Sequence, residues 1–379
     1  MIARHGLETE VRGRLKSNPV VALLGPRQCG KTTLARQVAS GRQAHYFDLE
    51  DPADAASLAA PREALSGLRG LVVLDEVQRR PELLETLRVL ADRPRRTARF
   101  LILGSASPGL VRGASETLAG RVGFVEMGGF DLREVGANKL NRLWRRGSFP
   151  RSFLARSEAD SLRWREDFIR TFLERDMPQL GVTVPAATLR RFWTMTAHYH
   201  GQIWNAAELA RSLGSSEGTA RNYLDLLSGA LVLRPLLPWF ENVAKRQVKS
   251  PKVYIRDSGL LHALLAIRTE RDLRRHPKLG ASWEGLAIEQ ILSILKPRDA
   301  YFWATHAGAE LDLFLLRNGQ RLGFECKYAD APRLTKSMRV ALEDLSLDRL
   351  WVVYPGEKIY KLHQRVEAIP LAQLEQRVQ

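Results

Sequence analysis

Cysteine is nearly missing from this chain of 379 residues, with only Cys29 and Cys326 present. Each lies inside a candidate active-site motif, so reduced thiols are expected and a structural disulfide is not. Long apolar runs are missing too. Nothing approaches the roughly eighteen residues needed to cross a bilayer, and the opening MIARHGLETE lacks the apolar core of a signal peptide. A soluble, cytoplasmic protein with no membrane partner is expected. Internal repeats and low-complexity tracts do not occur, which excludes solenoids and leaves ordinary globular domains. Acidic residues are scarce relative to basic ones, 42 Asp and Glu against 58 Lys and Arg, for a formal charge of +16.

That excess favours phosphate polyanions through counterion release. It concentrates in NVAKRQVKSPKVYIR, residues 242–256, where Lys245, Arg246, Lys249, Lys252 and Arg256 occur with no acid, and again in the nearby RTERDLRRHPK. Nucleic acid, with DNA favoured, is the expected partner, and a solvated basic face is the alternative. The length and the 45% hydrophobic content predict two or three units with sizeable cores.

PVVALLGPRQCGKTTLARQVA runs from an apolar strand, Val20 to Leu24, through a glycine-rich turn into an amphipathic helix. Gly25 to Thr32 matches GxxxxGK[ST]. In such a loop the backbone N–H groups cradle phosphates, Lys31 reaches the β and γ oxygens, and the Thr32 hydroxyl joins Mg²⁺. The expected ATP contacts are Gly25, Pro26, Arg27, Gln28, Cys29, Gly30, Lys31, Thr32 and Thr33, with Asp75 added from GLVVLDEVQ. Asp75 and Glu76 close an apolar strand: Asp75 would hold Mg²⁺ through water, and Glu76 would polarise the attacking water. The alternative is an acid pair that only satisfies a helix dipole. AHYFDLED reads as a further strand, so the phosphate-loop strand and the Asp75 strand need not be neighbours. Arg99 to Leu103 reads as a third buried strand with Ser105 at its end, placed to sense the γ-phosphate, and Ser107 as its competitor. Arg121 is the candidate to complete a neighbouring subunit's site, which would require a homo-oligomer; a surface arginine is the other reading.

GPRQCGKTT, LDEVQ, LILGSAS and LAGRV resemble the AAA+ type P-loop ATPases of a prokaryotic family whose C-terminal half is labelled a domain of unknown function. RDMPQLG, FWTMTAHYHGQIWNAAELARSLG and SPKVYIRDSGLLHALL carry the resemblance over almost the whole chain. It implies an α/β fold with a P-loop NTPase parallel sheet, a helical lid, and an ATP phosphohydrolase using ATP and Mg²⁺. The expected divisions are residues 1–146 for the ATPase, 147–200 for the lid, 201–258 for a winged helix and 259–379 for the last domain.

In the lid, Arg175 and Asp176 are possible nucleotide contacts. The segment NAAELARSLGSSEGTARNYLDLLSGALVLRPLLPW reads as helix, turn, helix, strand, a winged-helix layout. Asn205 is its expected cap, and Thr219, Arg221 and Asn222 its exposed side. Winged helices also serve as packing modules, and that alternative stands beside DNA contact.

ASWEGLAIEQILSIL forms a helix carrying Glu284 and Glu289. Then ELDLFLL and RLGFECKY form two strands joined by an Asn-Gly turn. Glu310 and Asp312 share a face of the first strand, and Glu325 and Lys327 a face of the second. Asp312, Glu325 and Lys327 are the candidate catalytic residues, and Glu284, Asp312 and Glu325 the candidate metal ligands. Together they resemble the PD-(D/E)XK nuclease arrangement on a restriction-endonuclease-like fold. Cys326, on the opposite face, reads as core. RLWVVYPGEKIYKL is expected to close the sheet, with Val352 and Val353 in the core. A degenerate fold in which Glu325 and Lys327 merely pair is the alternative, leaving a nucleotide-switched remodelling protein or a signalling ATPase that binds a protein partner.

Overall fold

The computed structural model describes residues 2–94, 97–105, 108–179, 182–240 and 248–378. The chain divides into two compact units, residues 1–130 with 229–231, and residues 131–228 with 232–379. The first stretch of the first unit therefore ends earlier than residue 146, and the segments expected as lid, winged helix and last domain fall within the second apart from residues 229–231. None of the described helices is long and apolar enough to cross a membrane.

The first unit is a five-stranded parallel sheet. Its strands are β1 (Val20–Leu24), β2 (Ala44–Asp48), β3 (Gly70–Asp75), β4 (Ala98–Gly104) and β5 (Val122–Glu126), in the order β2-β3-β4-β1-β5. Every residue of β1 is buried, as a parallel strand covered on both faces requires. Ala22, Leu24, Val72, Leu74 and Ile102 pack on one side against Leu83, Leu87 and Leu110. AHYFDLED forms the edge strand β2, and β4 intervenes between β1 and β3. Leu24 is in register with Gly104, and Asp48 with Asp75. The carboxyl ends of these strands thus share one edge of the sheet, where ligands of open parallel sheets bind.

The second unit begins with helices. Helix Glu158–Thr171 starts at the Ser157 cap, continues into a π-helical turn Phe172–Asp176 that holds Arg175 and the buried Asp176, and is followed by helix Ala186–His198. Phe149, Phe168, Phe172 and Trp193 stack in series between these helices. Next come β6 (Gln202–Ile203), helices Ala206–Leu213 and Glu217–Gly229, β7 (Leu233–Pro238) and β8 (Lys252–Ile255). Asn205 caps the first of these helices, accepting from the Glu208 N–H at 3.2 Å, and Gly214 ends it at φ 67°. Arg221 and Asn222 are exposed, as expected, and Thr219 is half-buried.

β8 pairs antiparallel with β6 and β7, and β7 runs parallel to β9 (Ala300–Ala304). The sheet continues through β10 (Glu310–Arg317), β11 (Gln320–Cys326), β12 (Arg349–Tyr354), β13 (Tyr360–His363) and β14 (Val366–Pro370), in the order β13-β14-β12-β11-β10-β9-β7-β8-β6. Asn318 and Gly319 both have positive φ, 52° and 75°, which a two-residue hairpin turn matched to strand twist demands. One expectation fails here. RLWVVYPGEKIYKL is two strands, β12 and β13, broken by Pro355 and Gly356, and β14 lies between them. Val352 and Val353 are core residues.

Two buried histidines tie this unit together. His200 Nδ1 accepts the Ile255 N–H at 2.9 Å, so its Nε2 donates to Ala281 O at 3.1 Å. Trp144 donates to Ser282, whose Oγ lies 2.7 Å from His262 Nε2, and His262 Nδ1 donates to Arg145 O. Burial pushes both histidines from 6.5 down to about 3. Between those values the unfolded chain binds more protons, so this stability is complete above pH 6.5 and is lost as pH falls toward 3. Each histidine contributes a loss of about 1.4 kcal/mol per pH unit in that window. As pH falls from 7 to 5, the melting temperature of wild type is expected to fall relative to that of His262→Gln. A constant difference between the two proteins across that range would contradict a neutral, buried imidazole at His262.

Candidate functional site

The phosphate loop leaves β1 at Gly25, where a Cβ would sit 2.2 Å from Met127 O and 2.9 Å from Cys29 Sγ. Only glycine fits. Gln28 (φ 63°) and Gly30 (φ 102°) take left-handed conformations that turn the loop into helix Lys31–Ala39. Arg4 braces it from below, donating to Cys29 O at 3.4 Å, Gly128 O at 2.9 Å and Gly129 O at 2.6 Å. The Cys29 side chain is buried. Lys31 Nζ donates to Gly25 O and Pro26 O at 3.0 and 3.1 Å. Thr33, the third residue of the helix, is exposed.

Thr32 Oγ1 donates to Asp75 Oδ2 at 2.8 Å, and the Glu76 N–H donates to Asp75 Oδ1 at 3.0 Å. The Tyr46 hydroxyl donates to the same Asp75 oxygen as Thr32. Burial, and then Asp75, push the phenol's pKa far up, so it stays a donor. A hydroxyl and a carboxylate at one point are the hard oxygen donors that Mg²⁺ takes. Glu76 follows in a left-handed conformation, φ 56°, that turns it away from the strand line. Its carboxylate accepts from the Gln78 amide and lies 3.9 Å from Arg27, which bridges on to Glu50 at 3.1 Å. Ser105 is buried at the end of β4, and its Oγ has no partner among the described residues. A γ-phosphate sensor requires such an unengaged donor. Ser107 lies outside the described residues. Arg121 is not brought to this edge. It precedes β5 at the opposite end of the sheet and makes a two-pronged pair with Asp92, 2.6 and 2.9 Å.

In the second unit the hairpin places Leu313 opposite Phe324, so Asp312 and Glu325 face each other on one side of the sheet. Helix Leu279–Leu295 lays Glu284 over them. Asp312 Oδ2 accepts the Cys326 N–H at 2.8 Å, and Lys327 Nζ lies 2.5 Å from Glu325 Oε1. Glu325 Oε2 is buried with no partner among the described residues. Burial, then Asp312, raise Glu325 to about 8 against the pull of Lys327, and raise Glu284 to about 7. Burial also pushes the Cys326 thiol well up, as a core residue. Asp312, Glu325 and Lys327 therefore lie on one face with Glu284 over it, although among the described residues no three such side chains stand close enough together to hold a metal ion as they are.

The basic segment is corrected. Lys252 points inward and is 2% exposed, with Nζ 3.3 Å from Glu284 Oε1 and 3.5 Å from Asp312 Oδ1, and it pairs with Glu310 as well. Arg256 and Arg234 hold Glu289. Burial would raise that carboxyl, but the two arginines bring it down to about 2. Glu289 is thus a structural anchor. Lys245 and Arg246 lie outside the described residues, and Lys249 is exposed. Sequence reasoning missed Tyr46, Gln78, Lys252 and Tyr254. Tyr254 donates to Glu284 Oε1 at 2.6 Å. The available signal was KVYI, in which Lys252 and Tyr254 sit two apart and so share a face.

The loop, the Thr32–Asp75 couple and the five-stranded parallel sheet define an AAA-type P-loop ATPase domain. A family model described as AAA domain matches residues 17–136, and two described as domains of unknown function, DUF8612 and DUF4143, match residues 137–271 and 279–374. The chain belongs to the family of the uncharacterized proteins Rv2008c of Mycobacterium tuberculosis and Mb2031c of Mycobacterium bovis. It is 55% identical to each over 374 residues, covering 99% of this chain and 85% of the relative. Among solved structures, the Walker-type ATPase PABY2304 of Pyrococcus abyssi aligns at 15% identity and TM-score 0.49, over 70% of this chain and 96% of that one.

Gly25→Ala should drive a methyl into Met127 O and cost roughly 1–3 kcal/mol. Loss of binding to a fluorescent ATP analogue, with a lowered melting temperature, is the expected result. Wild-type affinity would refute the tight fit.

Proposed function

We propose that the chain is an ATP-hydrolysing, Mg²⁺-dependent AAA-type enzyme that acts on nucleic acid, DNA first, through a nuclease-like second unit. The observation that carries this reading is the convergence of Glu284, Asp312, Glu325 and Lys327 in a chain that also holds an assembled P-loop. In the first unit the loop's backbone N–H groups and Lys31 bind the phosphates, and Thr32 and Asp75 would hold Mg²⁺, which when bound neutralises developing charge. Glu76, positioned by Gln78 and Arg27, orients the water, and Ser105 contacts the γ-phosphate. In the second unit Asp312, Glu325 and Glu284 would hold a divalent ion, which when bound polarises a phosphodiester and lowers the pKa of water. Lys327 offers a proton donor beside Glu325. The exposed Arg221 and Asn222, on the second helix of a helix-turn-helix pair backed by β6–β8, support a winged-helix contact with the duplex. Arg121 would act only on another subunit, since its own loop lies at the far edge of the sheet.

A second reading has its own support. The ammonium of Lys252 inside the carboxylate cluster favours a binding or remodelling protein whose nuclease fold does not cut.

Glu76→Gln is expected to keep ATP binding and to lower turnover by about a hundredfold or more, measured as phosphate release. Lys31→Ala should lose both. Labelled single-stranded, duplex and branched DNA incubated with ATP and Mg²⁺ or Mn²⁺ should be cut by wild type and left intact by Asp312→Ala. Absence of cutting under every such condition would remove the nuclease assignment and leave the ATPase standing.

A further inference from the structure

Lys252 holds an unusual place for a residue from the most basic segment of the chain. Its Nζ is enclosed by Glu284 (3.3 Å), Asp312 (3.5 Å) and Glu310, and its own side chain is 3% exposed. The Phe302 ring lies beneath it, 5.7 Å to the centroid. An aromatic face is a seat for an ammonium and offers nothing to a hydrated metal ion. β8 is separated from β10 by β7 and β9. Glu284, Asp312 and Glu325 are buried and Glu310 half-exposed, and carboxylates gathered in this way repel one another unless cations answer them. Lys327 answers Glu325 through Oε1, Lys252 answers the other three, and Glu325 Oε2 stays buried and unpartnered beside them.

We propose that Lys252 is the resident cation of this cluster and that a divalent ion enters only in exchange for its ammonium. The proposal rests on reading the cluster as a metal-binding, nuclease-like centre. A divalent ion sharing Glu284 and Asp312 would lie within a few ångströms of the ammonium, where like charges repel strongly in a poorly screened interior. The unexchanged centre needs no metal to stay assembled.

The test is a Mn²⁺ titration of the full-length protein by calorimetry and by melting temperature, taking as specific only the binding that Asp312→Asn removes. Lys252→Met should bind Mn²⁺ about tenfold or more tightly than wild type, because the competing charge is gone. Glu310→Gln gives an opposite-sign test in a variant that should fold, since the Glu310 side chain is 39% exposed. Loosening the hold on Lys252 should tighten Mn²⁺ binding, whereas a Glu310 serving as a metal ligand would weaken it. Equal affinity in wild type and both variants, or weaker binding in either, overturns the exchange while leaving the metal centre in place. No Asp312-dependent binding in any protein overturns both.

Discussion

The pairing of Lys252 with Glu284, Glu310 and Asp312 joins three segments of the second unit that are distant in sequence: β8, helix Leu279–Leu295 and β10. Removing Lys252 would leave the buried Glu284 and Asp312 without their counter-charge, an arrangement costlier than never having buried the groups. The strand order, the place of the helix over the sheet and the inward turn of Lys252 from β8 all satisfy this one electrostatic condition. Arg234 and Arg256 on Glu289 repeat the device on the same helix, where it does no more than hold elements together. The same chemistry thus serves as scaffold at one turn of the helix and as candidate centre at another.

The first unit solves a different problem. Its loop must present backbone N–H groups, so the packing beneath it is fixed from several directions: Arg4 on the carbonyls, Met127 O against Gly25, and Cys29 filling the space below. Asp75 is satisfied by Thr32, Tyr46 and the Glu76 N–H. Glu76 is thrown to the side by its backbone and caught by Gln78. Preorganisation of this kind spares a catalytic group the reorganisation it would otherwise undergo.

Much of this was legible in the residues. The phosphate loop, the Asp75 strand and the Asn-Gly hairpin follow local rules of turn chemistry and strand burial, and those rules act within a few residues. Tyr46 and Lys252 obey no local rule. Each matters because strand order brings it to an acid 29 or 60 positions away, and order within a sheet is a property of the whole chain. Lys252 was misread for a physical reason: a run of cations is ordinarily solvated, and its inward turn becomes visible only once the acids facing it are placed. The division of RLWVVYPGEKIYKL into two strands that do not pair is likewise set by β14 from outside the segment.

The Asn318–Gly319 turn has a bearing on the charges that its size conceals. Because side chains alternate between the two faces of a strand, the turn acts as a gauge of parity. One residue added between Arg317 and Gln320 would carry Glu325 to the far face and bring Cys326 round in its stead. Asp312 would then face a thiol, and Lys327 would leave with Glu325 for the far side. Two residues with no chemistry of their own therefore decide whether Glu325 and Asp312 share a side of the sheet.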